Sequence, residues 1–248
     1  MLDYKIKKTD GDTSWFIKDR FGLFIHFGLY SSLARHEGSK TTEQIEDEKY
    51  DSYMDYFDPD LFNADEWAKK AKDAGMKYAV LTAKHHEGFC MFDSKYTDYK
   101  ITNTPFKRDL VKEYVEAFRK AGLKVGIYYS LIDWHHKDFT IDLLHPRRDD
   151  GEDLDKNRDM EKYNEYMRNQ VRELLTNYGK IDIIWFDFVY PNPDTKQIFA
   201  FDKLHPTPNP NNKGCMATIG TSSFIICGLA GVGIVVLLLL KKKETKKT

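Results

Sequence analysis

Two adjacent histidines and a glutamate stand directly after an apolar run. The run YAVLTAK covers residues 78–84, and His85, His86 and Glu87 follow it. Imidazole groups exchange protons near neutral pH, so one histidine could donate a hydrogen bond to substrate hydroxyl groups while the other supports the loop. In extended backbone neighbouring side chains point to opposite sides, which argues against a shared metal ion. The competing interpretation is a purely structural role.

A carboxylate ends a second apolar stretch, IDIIWFDF, at Asp187. Six mostly apolar residues precede it, which predicts a carboxylate at the end of a strand in a partly apolar pocket. Such a group can attack the anomeric carbon of a sugar, as in retaining glycosidases, where a partner acid lies about 5 to 5.5 Å away. The alternative is an aspartate that only caps the following helix.

Polar and aromatic residues also end the other apolar stretches. His26 ends FGLFIH, and the segment DWHH covers residues 133–136. Aromatic residues make up 14% of the chain, and several fall near these positions. Aromatic faces pack well against the C–H groups of sugars, but packing within the protein is the commoner role. The aromatic residues alone are therefore weak evidence for a sugar site.

Helical patterns that end in glycine and lead into an apolar strand occur three times. The helical segments are NADEWAKKAKDAG, RDLVKEYVEAFRKAG and the stretch from Met160 to Gly179, each with an apolar face at helical spacing. The terminal glycine of each can adopt the left-handed conformation that ends a helix. The strands that follow are continuous apolar runs, which is typical of a parallel sheet covered by helices.

Each predicted strand ends in residues that could carry chemistry. With the earlier strand FGLFIHF, four such strands precede Tyr190. In a (β/α) barrel the active site is built from the C-terminal ends of eight strands. We therefore expect an α/β fold, a partial (β/α) TIM-type barrel of about four βα units, with residues 1–190 as a truncated catalytic domain.

Charge and cysteine content argue against several classes of function. Lys plus Arg number 38 and Asp plus Glu number 39, so no net charge attracts nucleic acid. The three cysteines, Cys90, Cys215 and Cys227, lack the spacing of a metal site. They predict neither a zinc site nor a disulfide framework.

The C-terminal part predicts a membrane anchor. Residues 191–218 contain many Pro and Asn and are predicted to be a linker. Residues 219–240 include the uncharged run FIICGLAGVGIVVLLLL and predict a single transmembrane helix, and residues 241–248 are a basic tail. A buried core helix is the alternative. The lysines favour a cytoplasmic tail, but the N-terminal residues do not read as an export signal, so the side of the catalytic part stays open.

Five segments between residues 15 and 191 carry a resemblance to a known family. They are FGLFIHFGLYS, FNADEWAKKAKDAGMKYAVLTAKHHEGFCMFDSKYTDY, NTPFKRDLV, GLKVGIYYSLIDWHH and VRELLTNYGKIDIIWFDF, in this order and at natural spacing. Through them the chain resembles the retaining α-L-fucosidase family of glycoside hydrolases. The resemblance implies a (β/α) barrel that hydrolyses terminal α-L-fucosyl linkages with no metal or organic cofactor.

The resemblance also implies roles for individual residues. Asp187 matches the nucleophile that forms a covalent fucosyl intermediate. The predicted substrate-binding residues are His26, Glu37, His85, His86, Tyr129 and Trp185. The three histidines would hydrogen-bond the hydroxyl groups of fucose. Tyr129 and Trp185 would line the pocket, and Glu37 would reach the sugar from the loop after the first strand.

Several features depart from the family pattern. Gly38 stands where relatives usually have tryptophan, and Phe27 and Phe92 stand where tryptophan is common. No segment matches the later strand or loop that usually supplies the general acid/base. Without an acid the leaving oxygen departs unprotonated, which would forfeit about 10²- to 10⁴-fold in rate.

The expected function is therefore that of an α-L-fucosidase-type glycosidase with a retaining mechanism, impaired without the second half of the barrel. The alternative is a non-catalytic, membrane-tethered fucose-binding or vestigial fragment. The expected partners are a fucosylated glycan or small fucoside and the membrane. A homo-oligomer or a complementing half-barrel could cover the exposed strand edges.

Overall fold

Four parallel strands form one sheet in the order in which they occur in the chain. The computed structural model describes residues 13–150 and 152–187. The strands are β1 (Gly22–Ile25), β2 (Tyr78–Lys84), β3 (Lys124–Ser130) and β4 (Ile183–Asp187), and each pairs in parallel with the next. Because all four run the same way, their C-terminal ends lie at one edge of the sheet, the carboxyl edge.

The helices of the described residues lie between these strands and before β1. They are α1 (Ser14–Asp19), α2 (Ser39–Thr42), α3 (Asp47–Asp51), α4 (Ala64–Asp73), α5 (Leu110–Lys120) and α6 (Met160–Asn177). Short 3₁₀ helices cover Leu29–Leu33, Ser52–Tyr56, Ile101–Asn103 and Glu152–Asp155. The connection from β1 to α4 thus contains several short helical turns.

Helices α4, α5 and α6 confirm the three helical predictions. Each begins after a polar side chain that accepts a hydrogen bond from a backbone N–H of the first turn, namely Asn63, Asp109 and Asp159. Glycines with positive φ follow α4, α5 and α6 and turn the chain back towards the sheet. The repeated pattern of helix, glycine and strand therefore produces three of the connections that position the site.

Helix α5 packs against the middle of the sheet. The fully buried Tyr114 of α5 donates its hydroxyl group to the carbonyl oxygens of Ala79, at 2.8 Å, and Gly126, at 3.0 Å. Strands β2 and β3 are buried along nearly their whole length, as expected for continuous apolar runs. The predicted α/β arrangement with a parallel sheet is confirmed.

Part of the predicted organisation lies outside the described residues. The linker at 191–218, the transmembrane helix at 219–240 and the basic tail at 241–248 all fall there. Within residues 13–150 and 152–187, no helix combines the length and the apolar character needed to cross a membrane.

Candidate active site

The carboxyl edge of the sheet brings five side chains together, here called the edge cluster. His26 follows β1, His85 and His86 follow β2, Tyr128 belongs to β3 and Asp187 ends β4. The ring centroid of His26 lies 5.4 Å from that of His85 and 5.1 Å from that of Tyr128. Four strands therefore contribute to one group of polar side chains, as expected for the end of a (β/α) sheet.

His85 and His86 lie side by side. Their ring centroids are 4.0 Å apart, and both residues are buried. The expectation that they point to opposite sides is wrong, because β2 ends at Lys84 and the extended geometry ends with it. A turn follows, closed by a 3.0 Å hydrogen bond from the Gly88 N–H to the carbonyl oxygen of His85. Both rings can therefore belong to one site.

Asp187 is oriented by a tyrosine of the neighbouring strand. Its Oδ2 atom accepts a 2.6 Å hydrogen bond from the hydroxyl group of Tyr128 and lies 3.9 Å from Nε2 of His86. Burial, followed by the charge of Asp187, raises the pKa of Tyr128 well above its usual value. Tyr128 is therefore a neutral donor, and the carboxylate is its acceptor.

The two buried imidazoles are each held by a second residue. Nδ1 of His85 lies 3.1 Å from Oε2 of the buried Glu87, and Nδ1 of His86 lies 2.7 Å from Oγ of Ser130. Burial lowers the pKa of His86 well below its usual value, and the charges of His85, His26 and Lys84 lower it further. His86 is therefore neutral at physiological pH.

His26 and Glu37 lie on the more open side of the cluster, and both are exposed. The surrounding protein and the charge of His85 lower the pKa of His26, while the carboxylate of Glu37 acts in the opposite direction. Solvent weakens each of these effects at an exposed group. Glu37 thus influences His26 through charge.

Trp185, which the resemblance predicts to line the pocket, packs beside another aromatic ring. It is buried two residues before Asp187, and its ring centroid lies 5.4 Å from that of Phe24. Phe24 in turn stacks on His26, with centroids 5.2 Å apart. An apolar surface therefore borders the polar edge cluster, an arrangement that suits the mixed faces of a sugar ring.

Tyr129 does not face the edge cluster, so the prediction that it lines the pocket is wrong. Its hydroxyl group donates a 2.7 Å hydrogen bond to Oε1 of Gln170 in α6, and its ring lies 4.7 Å from Nζ of Lys84. Successive residues of a strand point to opposite faces, so Tyr128 faces the site and Tyr129 faces the helices. The continuous apolar pattern of β3 gave no indication of which tyrosine faces which side.

The segment DWHH supports the histidine loop through a buried ion pair. Asp133 lies 2.8 Å from Nζ of Lys84, and both side chains are almost completely buried. Burial alone would raise the pKa of Asp133, but Lys84 and nearby histidines hold it below its usual value. The backbone N–H of Trp134 donates a 2.8 Å hydrogen bond to the carbonyl oxygen of His86. The loop that follows β3 therefore holds in place the loop that follows β2 and carries the histidines, here called the β2 loop.

Tyr128 and Ser130 lie on the same face as Asp187, although neither was among the predicted site residues. Ser130 pairs with Asp187 in the register of β3 with β4, and Tyr128 pairs with Trp185. Both residues belong to the segment YYS at the end of β3. Only the register of the strand pairing shows that they point to the same face as Asp187.

The edge cluster combines an oriented carboxylate, imidazoles and aromatic rings. Such a set can bind hydroxyl groups, pack against an apolar ring face and attack an electrophilic carbon. Across residues 13–150 and 152–187 there is no group of three or more His, Cys, Asp or Glu side chains that could hold a metal ion.

Comparison with known proteins points to a single family. The family model described as Alpha-L-fucosidase matches residues 3–218. Alpha-L-fucosidase 1 of Arabidopsis thaliana is 34% identical over 184 residues, which are 73% of this chain and 31% of that protein. Tissue alpha-L-fucosidase of Rattus norvegicus is 33% identical over 200 residues, which are 73% of this chain and 40% of that protein.

Solved structures give the same result. Alpha-L-fucosidase isoenzyme 1 from Paenibacillus thiaminolyticus superimposes with a TM-score of 0.72 at 52% identity, over 78% of this chain and 48% of that one. An alpha-L-fucosidase from Bacteroides thetaiotaomicron, solved as a trapped covalent intermediate with 2-fluoro-fucosyl fluoride, superimposes with a TM-score of 0.64 at 33% identity, over 75% and 45% of the two chains. The chain thus spans less than half the length of each of these relatives. With a family model that matches most of its residues, this chain belongs to the alpha-L-fucosidase family.

Proposed function

We propose that this chain carries the nucleophile and the fucose-binding residues of a retaining α-L-fucosidase. The observation that carries the proposal is the geometry of Asp187, whose carboxylate accepts the hydrogen bond of Tyr128 beside His86 at the carboxyl edge. A retaining glycosidase needs one carboxylate as nucleophile and a second acid to protonate the leaving oxygen. Asp187 is our proposed nucleophile.

The proposed reaction begins with attack of Asp187 on the anomeric carbon of an α-L-fucosyl group. The bond to the leaving oxygen breaks as the bond to the carboxylate forms, and water then releases fucose with retained configuration. Tyr128 holds the carboxylate in one orientation during both steps. His26, His85 and His86 would bind the hydroxyl groups of fucose, and Trp185 would pack against its apolar face.

The relatives support this assignment. A Bacteroides thetaiotaomicron alpha-L-fucosidase of 33% identity has been trapped as a covalent intermediate with 2-fluoro-fucosyl fluoride. A Lactobacillus casei alpha-L-fucosidase of 32% identity has been solved in complex with alpha-L-fucose as product. Because this chain spans only part of each relative, its own substrate and turnover are part of our proposal. We further propose that its four strands are part of a (β/α) barrel, with the sugar at the carboxyl edge.

Covalent trapping with 2-fluoro-fucosyl fluoride is the decisive experiment. Fluoride leaves without protonation, so the reagent tests the nucleophile independently of any general acid. We expect a fluorofucosyl adduct on the peptide that contains Asp187, detected by mass spectrometry, and no adduct in the Asp187→Asn variant. Asp182→Asn is the matched control, since Asp182 lies before the first residue of the same strand.

Failure of this experiment would be unambiguous. If the wild-type chain forms no adduct, or if Asp187→Asn is labelled as fast as wild type, Asp187 is not the nucleophile. Hydrolysis of an aryl α-L-fucoside, measured in parallel, reports whether the leaving oxygen also receives a proton. Labelling without turnover would agree with a working nucleophile and a missing acid, whereas fucose binding without labelling would favour a non-catalytic binding protein.

We also propose membrane association through residues 219–240. The proposal rests on the uncharged run FIICGLAGVGIVVLLLL and the lysines that follow it. The full chain should sediment with membranes after an alkaline carbonate wash, and a variant that ends at residue 218 should stay in the supernatant. Equal recovery of both proteins in the supernatant would refute the anchor.

A further inference from the structure

The contact of Ser130 with His86 can determine which ring nitrogen of the histidine carries the proton. Ser130 is fully buried at the end of β3. Its Oγ lies 2.7 Å from Nδ1 of His86, 2.8 Å from the carbonyl oxygen of Ile132 and 3.2 Å from the backbone nitrogen of Ile132. The carbonyl can only accept, the N–H can only donate, and a neutral imidazole nitrogen can do either. The single proton of the hydroxyl group therefore has two possible acceptors.

Counting donors and acceptors selects one arrangement. If the hydroxyl group donates to the Ile132 carbonyl, its two lone pairs accept from the Ile132 N–H and from Nδ1–H of His86, and all three contacts are hydrogen bonds. If it donates to His86 instead, two oxygen atoms face each other at 2.8 Å without a proton between them. A buried acceptor that loses its donor is costly, so the first arrangement is the stable one.

We propose that Ser130 is a positioning residue that holds His86 as the Nδ1–H tautomer and so makes Nε2 a hydrogen-bond acceptor for a hydroxyl group of the bound sugar. Nε2 is the nitrogen that faces the nucleophile, at 3.9 Å from Oδ2 of Asp187. The inference rests on the proposed fucoside function and deepens it. The sequence left open which of His85 and His86 would donate to a substrate hydroxyl group, and in this assignment His86 accepts.

This assignment makes a chemical demand on the ligand. His86 Nε2 and the carboxylate of Asp187 are both acceptors, so a sugar substituent that contacts Nε2 must bring its own proton. A hydroxyl group satisfies this demand. A fluorine atom or a methoxy group at the same ring position does not, although either could accept a hydrogen bond from a donor histidine. The site would therefore distinguish hydroxyl from fluorine at that position.

The tautomer can be measured directly in the full chain labelled with ¹⁵N-histidine. Two-bond proton–nitrogen correlation spectra distinguish protonated from unprotonated ring nitrogens. The signals of His86 are identified by their absence from the spectrum of the His86→Asn variant. For His86 in wild type we expect a protonated Nδ1 and an unprotonated Nε2. In Ser130→Ala we expect the proton to shift towards Nε2. Ser130→Thr retains the hydroxyl group and should restore the wild-type pattern.

The matched control is Ser94→Ala. Ser94 is also fully buried, and its hydroxyl group donates a 2.9 Å hydrogen bond to Glu173, away from the edge cluster. Ser94→Ala should lower stability without changing the tautomer of His86. A proton on Nε2 in wild type, or a Ser130→Ala tautomer equal to that of wild type, would overturn the proposal.

Calorimetric titration with L-fucose tests the consequence for the ligand. We expect Ser130→Ala to bind L-fucose about 10-fold more weakly, the loss expected for one misdirected buried hydrogen bond, with Ser94→Ala unchanged. A series of fucose analogues, each with fluorine in place of one ring hydroxyl group, should include one that wild type binds much more weakly than L-fucose. For that analogue the loss of affinity relative to L-fucose should be smaller in Ser130→Ala. If wild type binds no L-fucose, the proposed function fails and the role towards the sugar fails with it, while the spectra still decide the tautomer. Equal discrimination by wild type and Ser130→Ala would remove the specificity role.

Discussion

The hydroxyl group of Tyr128 donates a 2.6 Å hydrogen bond to Oδ2 of Asp187. The two residues lie on adjacent parallel strands, with Tyr128 opposite Trp185 and Asp187 two positions further on. Tyr128 is 1% exposed, so this bond is made in a largely dry environment, where hydrogen bonds to a charged group are strong. The proposed nucleophile is therefore oriented before any ligand arrives.

Removal of this hydrogen bond should slow the covalent step. Tyr128→Phe deletes one donor to a carboxylate, a bond worth about 1.5–3 kcal/mol, so we expect labelling by 2-fluoro-fucosyl fluoride to be about 10- to 100-fold slower. Tyr129→Phe is the matched control, because its hydroxyl group binds Gln170 on the helix side. That control should label at the wild-type rate. Equal rates for both variants would show that Tyr128 does not orient the nucleophile.

The buried neutral His86 should make stability depend on pH. Its folded pKa lies well below the ordinary value of 6.5, so below pH 6.5 the unfolded chain binds more protons than the folded chain. Stability must then fall as pH falls, by up to about 1.4 kcal/mol per pH unit for this group. Urea unfolding at pH 7 and pH 5 should show a larger loss for wild type than for His86→Gln. An identical loss in both proteins would contradict the low folded pKa.

The buried pair of Lys84 and Asp133 should be needed for folding stability. Lys84→Met leaves Asp133 as an uncompensated buried charge and should cost about 3–5 kcal/mol in the free energy of unfolding. Adding Asp133→Asn to Lys84→Met removes that charge and should recover part of the loss. The exposed pair of Lys69 and Asp73 provides a control, since Lys69→Met should leave the urea midpoint unchanged. A Lys84→Met protein as stable as wild type would contradict the role of the pair.

Gly88 should resist substitution more strongly than a glycine with a similar positive φ. Gly88 has φ +85°, and an added Cβ would clash with Oδ1 of Asp133. Gly75 has φ +87° but nothing within 4 Å of its Cβ position. Gly75→Ala therefore reports the backbone strain alone, about 1–3 kcal/mol, and Gly88→Ala should cost more in urea unfolding. Equal costs would show that the β2 loop can move away from Asp133.

The sequence predicted the sheet, its helices and the ends of the strands, because these depend on local patterns. Helical spacing and terminal glycines located α4, α5 and α6, and the polar residues after each strand placed His26 and Asp187 at one edge. The sequence did not show to which face of the sheet each side chain of a strand points. A strand buried on both faces has no alternation of apolar and polar residues, so Tyr128 and Tyr129 were equivalent until the pairing with β4 was known.

The same limit explains the expectation for His85 and His86. It assumed that the strand continued through both residues, whereas the turn after Lys84 places the two rings next to each other. The geometry of this turn depends on the contact of the β2 loop with Asp133 and Trp134. These residues are about 50 positions further along the chain, and local sequence patterns do not encode such non-local contacts.

The pairing of β2 with β3 advances by two residues on β2, from Thr82 to Lys84, while it advances by one on β3, from Tyr128 to Tyr129. The extra residue, Ala83, decides that the lysine ammonium group turns towards the helices and that the following imidazoles reach the edge cluster. A regular strand that kept Ala83 in register would pair Lys84 with Ser130 instead and would place its ammonium group on the same face as Asp187. Transplanting the loop KHHEG would therefore require a host strand whose register leaves the lysine on the helix side.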